Sequence, residues 1–94
     1  MFSTKVELTN AVIKNLKNVP HYIVDKLHTW INRVEERGIE EIRSIPGFND
    51  EPLKGKRKGQ RSIRLNRSYR AIYKESKTQQ EIIILIIEVN KHEY

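Results

Sequence analysis

Six consecutive apolar side chains, Ile82 to Ile87, form the longest apolar run in the chain, and five of them are isoleucine. The run is far short of the roughly 20 residues that span a bilayer, so no membrane segment is expected. From Glu81 to Val89 the sequence is β-branched and apolar on both faces, the pattern of a central strand covered on both sides. Any fold must therefore be built around a sheet with this strand inside it. Ninety-four residues and 11.2 kDa supply one modest core, which makes residues 1–94 a single domain and leaves no room for a two-domain enzyme. Cysteine is absent, so no disulfide framework and no cysteine-ligated zinc is expected, and a reducing compartment is permitted. The opening MFSTKVELTN has no basic stretch followed by a long apolar core. No secretory signal is expected, the mature chain should start near Met1, and the expected location is the cytoplasm.

Ahead of the apolar strand the period is helical. Lys5 to Leu8 alternates as a short edge strand does, and Thr9 offers an N-cap ahead of Val12, Leu16 and Val19. Pro20 suits the opening turn of a second helix, with Gly38 as its stop. Between them Ile23, Val24, Leu27, Trp30, Ile31 and Val34 recur at steps of three and four as one buried stripe. Trp30 on that stripe reads as core and not as a platform for a base. Ile39 to Ile45 adds a helical turn closed by Pro46-Gly47, and Phe48 to Gln60 reads as loop. The period then changes to two. Arg61 to Leu65, a turn at Asn66-Arg67-Ser68, and a strand from Tyr69 to Lys74 make a hairpin, and a polar turn over Ser76 to Gln80 leads to the last strand. The expected class is α+β: an N-terminal strand and helical hairpin packed on one face of a small, twisted, mainly antiparallel sheet, with the other face or its rim left for function.

The formal net charge is +6, but it is concentrated: residues 51–77 hold ten basic and two acidic side chains, whereas residues 1–50 are neutral overall. Such a block makes a positive field that recruits phosphate polymers or an acidic partner. Regular strands would point Ser62, Arg64 and Asn66 to one face and Arg61, Ile63 and Leu65 to the other, while Arg70 shares a face with Ile72. A guanidinium among β-branched side chains needs a carboxylate or a phosphate. The partner is either a polyanion or an internal acid such as Glu51, Glu81, Glu88 or Glu93. Lys54, Lys56, Arg57, Lys58, Arg61, Arg64, Arg67 and Arg70 are accordingly expected to contact phosphates. Continued alternation puts Glu88, Asn90, His92 and Tyr94 on one face beside these cations. RNA cleavage by the 2′-hydroxyl needs a base, an acid and cations on the phosphate, and all three types occur here; a frayed polar terminus is the alternative. His21, Asp25 and His28 supply too few convergent ligands for a metal site. Gly55-x-x-x-Gly59-Gln60 lacks the Lys-Ser/Thr of a nucleotide-binding loop.

The stretch NDEPLKGKRKGQRSIRLNRSYRAIY (Asn49 to Tyr73), with IIEVNKHEY (Ile86 to Tyr94) at the end, resembles the RelE superfamily of bacterial type II toxins, and among them most the HigB-type members. The opening KVELTNAVIKNLKNVPHYIVDKL resembles the first strand and helical hairpin of the same toxins, so the resemblance covers essentially the whole chain. It implies an mRNA endonuclease, usually acting in the ribosomal A site, without a metal or other cofactor, and neutralised by a cognate antitoxin protein. Carried over by residue, Glu51 matches a carboxylate before Pro-Leu that resembles the general base of YoeB-type relatives. Arg70 matches their phosphate-binding arginine and His92 their C-terminal histidine. Lys54, Arg57 and Arg64 correspond to basic residues that hold RNA. Where many relatives place tyrosine directly beside the histidine, this chain has Lys91 and Glu93, with tyrosine at Tyr94. ParE-like members, which poison DNA gyrase by binding, resemble the same fold and stand as the alternative, as does an RNA-binding protein without activity.

Overall fold

The structure is a computed structural model that describes residues 3–91. In chain order it has β1 (Ser3–Leu8), α1 (Asn10–Asn15), a 3-10 turn (Leu16–Asn18), α2 (His21–Arg37) and α3 (Ile39–Arg43). After a second 3-10 turn come β2 (Glu51–Pro52), a third 3-10 turn (Gly55–Arg57), β3 (Gln60–Arg64), β4 (Tyr69–Lys77) and β5 (Glu81–Lys91). The five strands form one sheet in the order β1-β5-β4-β3-β2, in which β1 runs parallel to β5 and the other pairs are antiparallel. The isoleucine-rich strand is thus interior, as its composition requires, and β1 is an edge. None of the described helices is long and apolar enough to cross a membrane.

The helices form where the sequence has caps and a stripe. The Thr9 hydroxyl accepts the Val12 N–H at 3.2 Å and so satisfies a donor that the first turn of α1 leaves without a helical partner. At the other end of α2, Gly38 takes φ 88°, a conformation that any Cβ would strain, and donates its N–H to the Val34 carbonyl at 2.8 Å. Between these ends Ile23, Leu27, Trp30 and Val34 are each at most 1% exposed and join Ile63, Ala71, Tyr73, Ile84, Ile86 and Val89 of the sheet in one core. Each of the valine, leucine and isoleucine side chains among them contributes about 1.5–3 kcal/mol by leaving water. Trp30 and Tyr73 meet at the centre, their rings 5.3 Å apart and tilted by 46°. The open edge of β1 is blunted by α2, where Glu35 Oε2 accepts the Val6 N–H at 3.0 Å.

Three features refine or depart from the expectations. The first helix is short, as its sequence predicts, and stops before Val19: it tightens into a 3-10 turn at Leu16, and Val19 is already extended, although Val12 and Val19 are both buried. The expected loop from Phe48 to Gln60 contains β2, whose two residues pair Glu51 with Ser62 and Pro52 with Arg61. A two-residue strand leaves no alternation to read. Finally, β5 carries a bulge: Tyr73 pairs with Ile86 but Ile72 pairs with Glu88, leaving Ile87 as the extra residue. The bulge keeps Val89 on the buried face with Ile84 and Ile86 and turns Glu88 and Asn90 to the other. On that other face Ile83 and Leu85 are only half-buried, so the two-sided cover expected of the central strand is complete on the helix side alone.

Candidate functional site

The face of the sheet opposite the helices carries two cross-strand rows. The register aligns Glu51, Ser62, Ile72 and Glu88 in one row and Arg64, Arg70 and Asn90 in the next. Ser62 and Ile72 are buried at 7% and 0% exposure and make a closed floor. At the β3 end of these rows lies a cleft of about 150 Å³, lined among others by Glu51, Arg64, Arg67 and Arg70. Its wall is shaped by two asparagines in special conformations. Asn49 adopts the left-handed region (φ 45°) just before β2, a region asparagine tolerates better than most residues. Asn66 turns β3 into β4 by accepting the Ser68 and Tyr69 N–H groups on its Oδ1, both at 2.7 Å. Arg70 is half-buried, and its Nε is shielded from solvent without an acceptor. A buried donor left this way is costly, as it is for Trp30 Nε1 and Arg43 Nε in the same state, and at Arg70 an anion in the adjoining cleft would relieve it.

The remaining basic residues differ in their surroundings. Lys54, Lys56 and Lys58 are exposed on the segment between β2 and β3, and Arg64 and Arg67 are exposed at the cleft. Arg57 reaches instead to β5, where its Nη2 lies 2.5 Å from Glu88 Oε1 while its Nη1 donates to Gln60 Oε1 at 2.8 Å. The other Glu88 oxygen accepts from Asn90 Nδ2 at 2.9 Å. Glu88 thus pairs with a cation, as the sequence allowed for one of its acids. Arg61 points to the helix side, away from the cleft, and donates its Nε to Asp50 Oδ1 at 2.6 Å. His92 and Tyr94, expected at the site, lie outside the described residues.

Asp50 was not visible as a functional residue in the sequence, yet it is the hub beneath the site. Its side chain is 0% exposed. Oδ1 takes Arg61, Oδ2 accepts the Tyr73 hydroxyl at 2.6 Å, and Arg43 Nε stands 4.0 Å from Oδ1. Arg43 also donates to the Tyr73 oxygen at 3.3 Å and to Glu75 Oε1 at 3.0 Å. Burial, then the hydrogen bond to Asp50, pushes the Tyr73 hydroxyl well above its ordinary pKa, so it remains a donor. Burial works against the Arg43 charge, but Tyr73, Glu75 and Asp50 outweigh it and raise its pKa. The signal for Asp50 was indirect: alternation already sent Arg61 to the apolar face, where a guanidinium requires an acid.

Chemically, the cleft holds one carboxylate beside two register-paired guanidinium groups, which suits a proton transfer next to an anion under charge stabilisation. His21 and Asp25 form only an exposed pair at 3.8 Å. Among the described residues no group of three or more His, Asp or Glu side chains could hold a metal ion.

No protein-family model and no curated protein matches the sequence. Solved structures do match. The YoeB/ParE toxin from Agrobacterium tumefaciens superposes with a TM-score of 0.70 at 21% identity, over 95% of this chain and 99% of its own. YafQ from E. coli gives 0.72 at 16% identity, over 96% and 94%. The toxin–antitoxin complex RelBE2 from Mycobacterium tuberculosis gives 0.65 at 17% identity, over 94% and 96%. The chain has the RelE/YafQ-like toxin fold. At such identities the likeness is one of backbone, and the side chains of the cleft carry the functional reading.

Proposed function

We propose that the chain is the toxin of a type II toxin–antitoxin pair, a RelE-superfamily protein of HigB-like type that acts as an endoribonuclease on mRNA, in the cytoplasm and on the ribosome. The observation that carries this reading is the cleft where Glu51, Arg64 and Arg70 converge with the Arg70 Nε lacking an acceptor. A phosphodiester would supply that acceptor. Glu51 takes the 2′-hydroxyl proton, Arg70 with Arg64 and Lys54 stabilises the charge that builds on the phosphorane oxygens, and His92 protonates the leaving 5′-oxygen. The bond from the 2′-oxygen to phosphorus forms as the bond to the 5′-oxygen breaks, leaving a 2′,3′-cyclic phosphate. Side chains alone perform these steps. Lys56, Lys58 and Arg67 extend the cationic track for the RNA, and the stacking of a base is assigned to Tyr94.

The partner is a cognate antitoxin. Support comes from the shared fold, because the M. tuberculosis neighbour is a toxin–antitoxin complex. A ParE-like gyrase poison is the second reading, favoured by the name of the Agrobacterium neighbour; it leaves the convergence of Glu51 and Arg70 without a task. Expression without a partner separates the two. Growth should stop with loss of translation and with mRNA breaks inside reading frames, whereas arrest with intact mRNA and accumulating gyrase–DNA cleavage complexes would overturn the nuclease reading.

A further inference from the structure

Glu51 is the only acidic side chain lining the cleft among the described residues, yet the strand that carries it is weak. β2 has two residues, both exposed, on the outer edge of the sheet. Two ladder positions and one further backbone bond, from the Leu53 N–H to the Gln60 carbonyl at 2.9 Å, are a slight hold for a side chain that proton transfer requires in a fixed place, since edge strands fray and short pairings open readily. The residue immediately before Glu51 is fastened far more firmly. Asp50 is fully shielded and is bound at 2.6 Å by Arg61 from β3 and at 2.6 Å by Tyr73 from β4. Tyr73 is itself locked against Trp30 in the core and hydrogen-bonded to Arg43 of α3. Adjacent residues of an extended chain project to opposite sides. Pulling the Asp50 carboxylate down to the helix side therefore turns the next side chain up to the open face, where Glu51 lines the cleft. The left-handed Asn49 on the other flank swings the chain into this course.

We propose that Asp50 is a positioning residue for the reaction: through its bonds to Arg61 and Tyr73 it holds β2 on the sheet and aims the Glu51 carboxylate at the 2′-hydroxyl. This rests on the reading of Glu51 as the general base. It also gives Arg61 a task other than RNA contact, because a guanidinium bound to a buried carboxylate on the helix side is not available to a strand lying on the open face. Arg64 and Arg70 sit on β3 and β4, which pair with each other over five register positions of their own, so RNA binding should survive its loss.

The test is a double-mutant cycle in single-turnover cleavage of an mRNA on programmed ribosomes, with enzyme saturating. A displacement of about 1 Å costs on the order of 10²-fold in rate, so Asp50→Asn should slow the bound reaction by about tenfold to a hundredfold while RNA affinity stays within about threefold. In a Glu51→Gln background the same substitution should cost less than about threefold, because the group it aims is already gone. A stability defect alone would lower the active fraction equally in both backgrounds, so multiplicative losses overturn the proposal. A wild-type rate in Asp50→Asn beside a slow Glu51→Gln also overturns it, and leaves the base assignment standing. A wild-type rate in Glu51→Gln overturns the base assignment and the proposal together. Should Asp50→Asn fail to fold, Tyr73→Phe removes one of the two short bonds and keeps the ring in the core. It should then show a smaller loss that vanishes in the Glu51→Gln background, and an equal loss in both backgrounds overturns the proposal.

Discussion

Arg64 on β3 and Arg70 on β4 are register partners, so two guanidinium side chains rise side by side from the open face of the sheet. Like charges directly opposite on neighbouring strands destabilise a sheet by about 0.2–1 kcal/mol. Nothing acidic separates them in their row, where the next residue is Asn90. The arrangement is unfavourable on its own and would be relieved by a phosphate between the two, as the proposed function requires. The fork of a guanidinium gives such binding a direction that a lysine does not.

RNA binding should depend steeply on salt. Lys54, Lys56 and Lys58 on the exposed segment, with Arg64, Arg67 and Arg70 lining the cleft, are the six cations expected to meet RNA. At roughly −0.7 per phosphate contacted on a single strand, about six contacts give a log–log slope near −4. Fluorescence anisotropy across a salt series measures it, and a flat dependence would remove the basic segment as the RNA surface.

Glu88→Gln should tighten RNA binding. The carboxylate is an internal competitor for Arg57, joined to it by a pair in which both side chains are more than a third exposed. Such pairs are worth about 0.2–1 kcal/mol, so freeing Arg57 should raise affinity by no more than about fivefold and steepen the salt slope by about 0.7. The gain should disappear in an Arg57→Ala background. If it persists there, general charge and not the Arg57 pair is responsible.

Tyr73 links stability to pH. Its hydroxyl has a raised pKa in the folded protein, with burial and the Asp50 hydrogen bond as causes. In the unfolded chain tyrosine titrates near 10. A raised folded pKa gives stability that is fully present below the unfolded value and lost as pH rises above it. Thermal melts of Tyr73→Phe should therefore show a smaller loss between pH 9 and 11 than the wild type, and parallel losses would show that Tyr73 is not the responsible group. Trp30→Ala, which empties the centre of the same core, should cost about 3–5 kcal/mol in denaturant titration.

The elements that were legible in the sequence are the ones with a long period. The stripe from Ile23 to Val34 spans several turns, and the run from Glu81 to Val89 permits only an interior strand. Features with one or two residues of signal were not legible. β2 is shorter than its own period, and the bulge at Ile87 shows in the sequence only as a step of three, from Ile86 to Val89, where the alternation requires two. Of the cleft, Arg64 and Arg70 followed from alternation and charge, and Glu51 entered through the resemblance of the Glu-Pro-Leu-Lys stretch. Asp50 escaped because a buried hub is defined by partners distant in the chain: Arg61 is eleven residues away and Tyr73 twenty-three. Charge alone also could not tell Arg61, which is internal, from Arg64, which is not.

The most direct test of the account is single-turnover cleavage of an mRNA on programmed ribosomes by wild type, Arg70→Ala and His92→Gln, with the 3′-end of the product identified. The account predicts a 2′,3′-cyclic phosphate. Removing the guanidinium that meets the developing phosphorane charge should slow the bound reaction by about 10² to 10³-fold. Loss of the acid should slow it by about 10² to 10⁴-fold with affinity nearly unchanged. Intact mRNA with the wild type, or a wild-type rate in Arg70→Ala, would contradict it.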